Sequence, residues 1–378
     1  MKILAISTTR ADFGILENLL KKLKKDKFFK LNFLVTGSHF NRDQGHSLKE
    51  ILKRKISIDK KLNIKFNSNN LESIFSFNSK LILKFFKYLK NTKPDIVLVF
   101  GDRFEMLLLT FCSYLMRIPI AHLHGGEISE GSMDDSMRHA ITKLSNIHFV
   151  SNRTHRERVI QLGEQPKYVK NVGSLIEEKI QNLKIENKDK LEKLHNLTFA
   201  NKNFIVTYHP DTIKSGNTKK NFEEILKSIK KFDFLNFFFT APGSDFESDI
   251  IKKKIIEFKK NKKNIFYIKN FGSQSYLSML HHVNGLIGNS SSGILEMPIV
   301  KNYTINIGNR QKGRGDSNFI YNVQPKEEEI SKLILKISRA KIRKKNFSKI
   351  KNEIIKKIIS NLKKIRLDNI VYKKFFDL

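Results

Sequence analysis

Residues 288–293 of the chain read GNSSSG and place glycine and hydroxyl side chains directly after a short apolar run. A backbone that leaves a buried strand through such residues into a helix presents free N–H groups, which suit a phosphate. Glu296 follows one helical turn later, where its carboxylate can accept hydrogen bonds from the hydroxyls of a ribose. The pattern therefore predicts a nucleoside diphosphate site, with simple helix capping by the serines as the alternative.

A second group of reactive side chains lies in residues 122–143, which read HLHGGEISEGSMDDSMRHAITK. His122 and His124 alternate along a predicted strand and could begin a metal site, but no third ligand follows at a spacing typical of zinc. Closely spaced carboxylates and imidazoles instead tune one another's pKa values and move protons at neutral pH. We therefore predict acid and base groups without a metal, with helix capping as the alternative role of Asp134 or Asp135.

Asp102 stands in a GDR triplet immediately after the apolar run at residues 95–100. A carboxylate at this place either forms a structural pair with Arg103 or points into a cleft as a catalytic group. Gly101 carries no side chain that would shield the carboxylate. This favours an Asp102 side chain that points into the cleft as a catalytic group.

Three further polar residues stand where they could hold a charged ligand. His209 in TYHP ends another apolar run and suits a diphosphate or a sugar oxygen, against an ordinary surface histidine. Arg10 and Arg310 are placed to neutralise a leaving diphosphate, and the fork of an arginine does this better than a lysine.

Strand-like and helix-like segments alternate along the chain, which is typical of a parallel sheet wrapped by helices. The polar and lysine-rich residues 176–202 interrupt this alternation and divide the predicted strands into two groups. The predicted strands are residues 2–7, 31–36, 95–100, 118–123, 147–150 and 168–172, then 204–208, 237–240, 265–268, 285–288 and 303–307. Because ligands of such sheets bind outside the carboxyl ends of the strands, the polar residues above should meet in a cleft between the two halves.

A chain of 378 residues favours two domains over one core. We predict an α/β protein of two doubly wound Rossmann-like domains, with the site in the cleft between them. Residues 1–174 form the N-terminal domain with the acid and base groups, and residues 175–345 form the C-terminal, nucleotide-binding domain. Residues 346–378 are helical by period and are predicted to cross back to the N-terminal domain.

The formal net charge of +34 raises the question of an anionic partner. The lysines are scattered among Ile, Asn and Phe, whereas nucleic-acid binding is typically carried by one basic stripe. We therefore interpret the charge as a solvated polar surface and predict no nucleic-acid partner. A membrane surface or an acidic partner is the alternative.

The single cysteine, Cys112, excludes a disulfide within the chain and a cysteine-rich metal site, and we expect it in the core. The apolar start MKILAIS is too short for a signal peptide, and no run approaches 18 apolar residues. The expected location is the cytoplasm, without membrane insertion.

Nine motifs, taken in order, resemble those of the hydrolysing UDP-N-acetylglucosamine 2-epimerases, above all the bacterial enzymes that open sialic acid synthesis. The motifs are TTRADFGIL, LVTGSHF, GDRFEML, IPIAHLHGGE, DDSMRHAITK, QLGE, TYHP, GNSSSGILE and NIGNRQKGR. The resemblance extends from the first strand to about Arg314. It implies a glycosyltransferase-B fold, no cofactor, and a homodimer or homotetramer. It also implies a UDP-sugar substrate, with release of UDP and N-acetylmannosamine.

The resemblance also implies roles for individual residues. Asp102 and Asp134 correspond to catalytic carboxylates, and His209 to a residue of the substrate site with a possible catalytic role. Many relatives have a glutamate at the place of His124, so either His124 or Glu127 handles the proton at C2 of the sugar. The implied substrate-binding set is Arg10, Arg103, Asn270, Phe271, Ser290, Ser291, Glu296 and Arg310, with Asn270 and Phe271 at the uracil.

In this reaction a base removes the C2 proton while UDP leaves from C1, and water then adds to the resulting glycal. One alternative keeps the chemistry with a UDP-linked 2,4-diacetamido-2,4,6-trideoxyglucose, on the way to legionaminic acid. A glycosyltransferase of the same fold is another, although it would not need the dense acid and histidine segment. A basic binding protein without turnover is the third, and its binding would collapse with added salt.

Overall fold

The computed structural model describes residues 1–40, 47–64, 70–213, 216–243, 247–340 and 353–378. Its strands form two sheets, each entirely parallel, one of seven strands and one of six. Helices connect the strands and cover the sheets, as expected for two doubly wound α/β units. The predicted fold class is confirmed.

The first sheet has the strand order β3-β2-β1-β4-β5-β6-β7. Its central strand β1 pairs with β2 on one side and β4 on the other, with Ile3 opposite both Leu31 and Ile96. The strands are β1 (Lys2–Ser7), β2 (Lys30–Val35), β3 (Lys60–Lys61), β4 (Ile96–Phe100), β5 (Ile120–Leu123), β6 (Ile147–Val150) and β7 (Val169–Asn171).

The second sheet has the order β10-β9-β8-β11-β12-β13. Its central strands β8 and β11 pair with Val206 opposite Ile287. The strands are β8 (Asn203–Thr207), β9 (Asn236–Thr240), β10 (Ile265–Ile268), β11 (Gly285–Gly288), β12 (Tyr303–Ile307) and β13 (Ile320–Val323).

The helices of the first unit include α1, which begins with a capping box in which Thr9 and Asp12 bond each other's backbone N–H groups. The helices up to β7 are α1 (Arg10–Lys25), α2 (Leu48–Lys53), α3 (Leu71–Thr92), α4 (Phe104–Leu115), α5 (Asp134–Leu144) and α6 (Arg153–Gln161). Those that follow are α7 (Leu175–Gln181), α8 (Lys188–His195), α9 (Thr218–Lys230), α10 (Ser248–Lys259), α11 (Gly272–His282), α12 (Ser291–Leu295), α13 (Glu327–Arg339) and α14 (Glu353–Lys364). In the part of the chain that the structure describes, no helix has the length and apolar character that a membrane crossing requires.

Each sheet has its own apolar core, and the C-terminal helix belongs to the first. Helix α14 contacts α1 and α7, and Ile354, Ile358 and Leu362 are buried among the core residues that cover β1 and β2. The domain boundaries at residues 174 and 345 stay a prediction, and residues 341–352 lie outside the described part.

The carboxyl ends of both sheets face one cleft. In each sheet the strand order reverses between two central strands, β1 with β4 and β8 with β11, and ligands of open parallel sheets bind at such reversals. Arg10, Asp102, His209 and residues 289–293 follow these four strands closely in the chain. The fold therefore brings the most reactive predicted residues to a common place.

Candidate active site

The cleft between the sheets holds a cavity of about 400 Å³. Every residue predicted for the site lines this cavity, although the chain brings them from loops far apart in sequence. One wall, from the first sheet, carries Arg10, Asp102, Arg103, His124, Glu127 and Asp134; the other carries His209, Asn270, Phe271, Ser290, Ser291, Glu296 and Arg310.

Asp102 follows β4 directly and forms an ion pair with Arg138 of α5. Arg103 does not provide this pair, since its Nε lies 3.3 Å from an oxygen of Glu105. Burial alone would raise the pKa of Asp102, but the nearby guanidinium groups of Arg138 and Arg314 outweigh it and lower that pKa. Asp102 is thus an ionised carboxylate held at the cavity wall.

His122 holds the loop after β4 at the cavity wall. Its Nε2–H donates to the carbonyl oxygen of Gly101 over 2.8 Å, and its Nδ1 lies 3.1 Å from the hydroxyl of Thr142. Burial lowers the pKa of His122 to about 3, so the ring stays neutral and structural.

Among the described residues no cluster of three or more His, Cys, Asp or Glu side chains could hold a metal ion.

His124 and Glu127 form a hydrogen-bonded pair after β5. Nδ1 of His124 lies 2.9 Å from Oε1 of Glu127, while Nε2 of His124 is buried with no hydrogen-bond partner among the residues described. The second oxygen of Glu127 lies 3.2 Å from Nη2 of Arg314. Burial would raise the pKa of Glu127, but His124 and Arg314 together lower it. An ionised Glu127 accepts the Nδ1–H of His124, and Nε2 is then the ring nitrogen that can act as a base.

Asp134 is the first residue of α5 and faces the second sheet. Its Oδ2 accepts a hydrogen bond of 2.9 Å from the hydroxyl of Ser132 and lies 3.9 Å from Nη2 of Arg310. The capping interpretation is wrong for both aspartates, because Met133 occupies the N-cap of α5 without a side-chain bond. Asp135 instead accepts from the backbone of Ser129 and pairs with Arg138.

His209 follows β8 and is held by residues after β11 and β9, the two strands that pair with β8. Its backbone N–H donates to Oδ1 of Asn289 over 2.7 Å, and its ring Nδ1 accepts from the N–H of Gly243 over 3.0 Å. Since Nδ1 accepts, the neutral ring carries its proton on Nε2. His209 therefore presents a donor on the side of the second sheet.

The segment at residues 288–293 begins a helix and also lines the cavity. Ser290 caps α12, accepting a hydrogen bond of 3.3 Å from the N–H of Ser292, and both Ser290 and Ser291 line the cavity. Helix α12 contains only five residues, so hydroxyl and amide groups of the loop matter more here than a helix dipole. Burial raises the pKa of Glu296, against a hydrogen bond from Ser292 and the charge of Lys179.

Arg10 links the first sheet to the loop after β10. Its guanidinium donates to the side-chain oxygen of Asn270, which also accepts from the N–H of Gly272 over 2.6 Å. Phe271 is buried, and its ring packs edge to face against His195 with 4.8 Å between centroids. These contacts place the predicted uracil residues beside Arg10.

Arg138, Lys179, Tyr276 and Arg314 also line the cavity and were not among the predicted site residues. Arg138 and Arg314 stand in the quoted motifs DDSMRHAITK and NIGNRQKGR, so the motifs contained a signal for them. Lys179 donates to the carbonyl of Gly14 and to the hydroxyl of Ser273, and burial lowers its pKa to about 8. In a chain this rich in lysine, composition could not single it out.

The fold and the cleft define a two-domain, glycosyltransferase-B-like α/β protein with a deep interdomain site. The family model described as UDP-N-acetylglucosamine 2-epimerase matches residues 21–358. The chain therefore belongs to the UDP-N-acetylglucosamine 2-epimerase family, in its hydrolysing branch.

Two curated relatives are 36% identical to the chain. One is the GDP/UDP-N,N'-diacetylbacillosamine 2-epimerase (hydrolyzing) of Campylobacter jejuni, with 100% of this chain and 99% of the relative covered. The other is the polysialic acid biosynthesis protein P7 of Escherichia coli, with 83% and 80% covered. The crystal structure of UDP-GlcNAc 2-epimerase from Neisseria meningitidis bound to UDP-GlcNAc has a TM-score of 0.79 at 18% identity and covers 97% of this chain and 100% of that chain. This last likeness confirms the fold.

Proposed function

We propose that the chain hydrolyses UDP-N-acetylglucosamine with inversion at C2, giving UDP and N-acetylmannosamine. The observation that carries the proposal is the division of the cleft. The carboxylates of Asp102, Glu127 and Asp134 line one wall with the imidazole of His124. Ser290, Arg310 and the half-buried Glu296 line the other wall of the same cavity. An elimination that expels a diphosphate needs both kinds of group at once.

In the first step a base takes the C2 proton, the C2–H electrons form the C1–C2 double bond, and the C1–O bond breaks with its electrons on UDP. We assign the base to His124, because its Nε2 has no hydrogen-bond partner within the described residues while Glu127 holds Nδ1. Both oxygens of Glu127 are already bonded, to His124 and Arg314. Glu127 is therefore a positioning residue for His124 in this proposal.

In the second step water adds to C1 of the glycal and a proton returns to C2 from the opposite face. The change of face requires a group other than His124, and Asp102 and Asp134 line the cavity for it. The ionised Asp102 can take the proton of the attacking water and pass it to C2, while His124 releases to solvent the proton that it took in the first step. Asp134, next to Arg310, lies on the side of the departing phosphates. The net reaction consumes one water and needs no cofactor.

For the nucleotide, we assign Glu296 to the ribose hydroxyls and Ser290, Ser291 and Arg310 to the diphosphate. Arg10, Arg103 and His209 complete the polar lining around the phosphates and the sugar. Asn270 and Phe271 are assigned to the uracil, and Asn270 is held there by its hydrogen bond from Arg10. These assignments carry over the expectations from sequence onto residues that share one cavity.

The Campylobacter jejuni relative supports a second candidate substrate, UDP-2,4-diacetamido-2,4,6-trideoxyglucose, since its name specifies N,N'-diacetylbacillosamine and it matches the whole chain. The Escherichia coli relative, with the same identity, supports a product for sialic acid synthesis. Both sugars carry the C2 proton and the 2-acetamido group on which the reaction depends. We propose a cytoplasmic homo-oligomer for either substrate.

Proton NMR of the purified protein with each sugar in deuterium oxide tests the proposal. We expect release of UDP and deuterium at C2 of N-acetylmannosamine. Turnover of the diacetamido sugar alone would make it the substrate. Hydrolysis that retains the C2 proton would contradict the elimination mechanism and favour a glycosyltransferase that hydrolyses its donor.

A further inference from the structure

Two loops meet across the cleft and join the two sheets. Residues 127–134, after β5, lie against residues 308–315, after β12. The N–H of Glu130 donates to the carbonyl of Lys312 over 3.0 Å, and their side chains form an ion pair of 3.1 Å. Gly131 packs so closely on the backbone of Asn309 that a Cβ there would clash. The relative position of the two loops is therefore fixed by backbone contacts.

This contact places Arg314, which follows β12 of the second sheet, beside Glu127 and His124 of the first. Arg314 donates through Nη2 to Oε2 of Glu127 over 3.2 Å, and Oε1 of the same carboxylate lies 2.9 Å from Nδ1 of His124. The side chains are 14%, 6% and 6% exposed for Arg314, Glu127 and His124. The three groups form a buried chain that crosses from one sheet to the other.

The hydrogen bonds of Arg314 point to Glu127 as its main partner. Its Nη1 lies 3.3 Å from Oε1 of Gln311, and its Nε is buried with no hydrogen-bond partner among the residues described. A buried carboxylate that lacks a cation tends to take up a proton, and a protonated Glu127 would no longer fix the Nδ1–H form of His124. Loss of the Arg314 guanidinium would therefore weaken the preference of His124 for the Nδ1–H form, although Arg138 also acts on Glu127.

We propose that Arg314 is a positioning residue that keeps Glu127 ionised and so holds Nε2 of His124 as a base. The proposal rests on the assignment of His124 as the base above. It also makes the base depend on the contact between the two loops. Among the described residues, Asp102 after β4, Arg138 of α5 and His155 of α6 also act electrostatically on this pair.

Arg314→Met tests this role, with Arg314→Lys as the conservative variant and Lys312→Met as the matched control. Lys312 lies in the same loop and pairs across the same contact, but it does not line the cavity. We expect Arg314→Met to lower kcat about 30-fold with the dissociation constant of UDP changed by less than about threefold. The acid limb of the pH–rate profile should move to lower pH, because a Glu127 that has taken up a proton no longer stabilises the charged form of His124. Arg314→Lys should recover part of both effects.

Lys312→Met should keep the kcat, the UDP affinity and the pH profile of the parent chain. Unchanged kcat with a tenfold weaker UDP affinity in Arg314→Met would overturn the proposal and make Arg314 a nucleotide ligand. An equal loss of kcat in both variants without a pH shift would also overturn it, since the loop contact alone would then matter.

A readout that does not depend on turnover separates this proposal from the proposed function. Nitrogen-15 NMR of the histidine rings should give an Nδ1–H form for His124 in the parent chain and a mixture of forms in Arg314→Met. His124→Gln identifies the signal. If neither sugar releases UDP but the ring form changes as expected, the proposed substrate fails and the role of Arg314 stands. An unchanged ring form in Arg314→Met overturns that role.

Discussion

Arg138 and Asp102 form an ion pair that ties the middle of α5 to the end of β4. Arg138 is 1% exposed and also donates to the carbonyl of Glu127 over 2.9 Å and to the hydroxyl of Ser129 over 3.0 Å. One guanidinium thus holds the loops after β4 and β5 together. This contact brings Asp102 and His124 to the same wall of the cavity.

Asp102→Asn and Asp134→Asn should each lower turnover by about 100-fold or more, because an amide cannot accept a proton. The dissociation constant of UDP should stay near that of the parent chain, since both aspartates lie on the wall opposite the predicted uridine contacts. Release of UDP from the sugar nucleotide measures turnover, and calorimetry measures UDP binding. Glu157→Gln, at an exposed position of α6, is the control. Near-normal turnover in both variants would remove the two aspartates from the mechanism.

Glu296→Ala should weaken UDP binding by roughly tenfold, about the loss of one good hydrogen-bonding group at a buried site. The half-buried carboxylate lines the cavity near the hydroxyl of Ser292, and its predicted role is to accept hydrogen bonds from the ribose. Calorimetric titration with UDP gives the affinity. Glu328→Ala, on the exposed face of α13, should bind UDP like the parent chain. Equal affinities of the Glu296 variant and the parent would remove Glu296 from the ribose site.

His124→Glu should retain measurable turnover with a shifted pH profile, because a carboxylate can replace the imidazole as the base. His124→Gln has no such group and should lose about 100-fold or more. The pH–rate profiles of both variants, measured by UDP release, give the comparison. A folded but inactive glutamate variant would argue that Glu127 or another group removes the C2 proton.

The free energy of unfolding should fall as the pH drops below about 6.5. Burial lowers the pKa of His122 to about 3 and that of His39 to about 4, so both rings stay neutral in the folded state while the unfolded chain takes up protons. Each ring should cost about 2 kcal/mol between pH 6.5 and pH 5. Carboxylates with lowered pKa values, such as Glu164 at about 2, reduce stability only at still lower pH.

Urea unfolding of the parent chain and of His122→Asn between pH 5 and pH 7 measures this dependence. The variant has one titrating ring fewer, so its stability should change less across this range. A parent chain whose stability is constant from pH 7 to pH 5 would contradict the expected effect of these rings.

The sequence was sufficient to predict most strands of the two sheets. Apolar runs such as residues 95–100 and 147–150 match β4 and β6 closely, because strands buried on both faces require continuous apolar residues. Strands β3 and β13 were not predicted. Strand β3 is only the exposed pair Lys60–Lys61, and β13 is a partly exposed edge strand, so neither has the apolar run on which the prediction depends.

The residues of the cavity were predictable where they follow a strand directly, as for Asp102 and His209. Arg138 was missed as a site residue because it lies on the second turn of a helix, and only its contact with Asp102 in the folded chain reveals its place. The link from Arg314 to His124 was also hidden, since it joins two loops that are separated by almost half the chain. Pairing across a cleft leaves no periodic pattern in a sequence.

Helix α14 has a consequence for how the chain is made. Its apolar residues Ile354 and Ile358, with Ile370 after it, lie in the core that also contains Ile3 and Phe13. During synthesis Ile3 and Phe13 leave the ribosome long before Ile354 and Ile358, so this core stays incomplete until α14 has been made. The first sheet, although its strands precede those of the second, is thus fully covered only after the second sheet has been made, and loss of α14 leaves the apolar surface beside α1 open to aggregation.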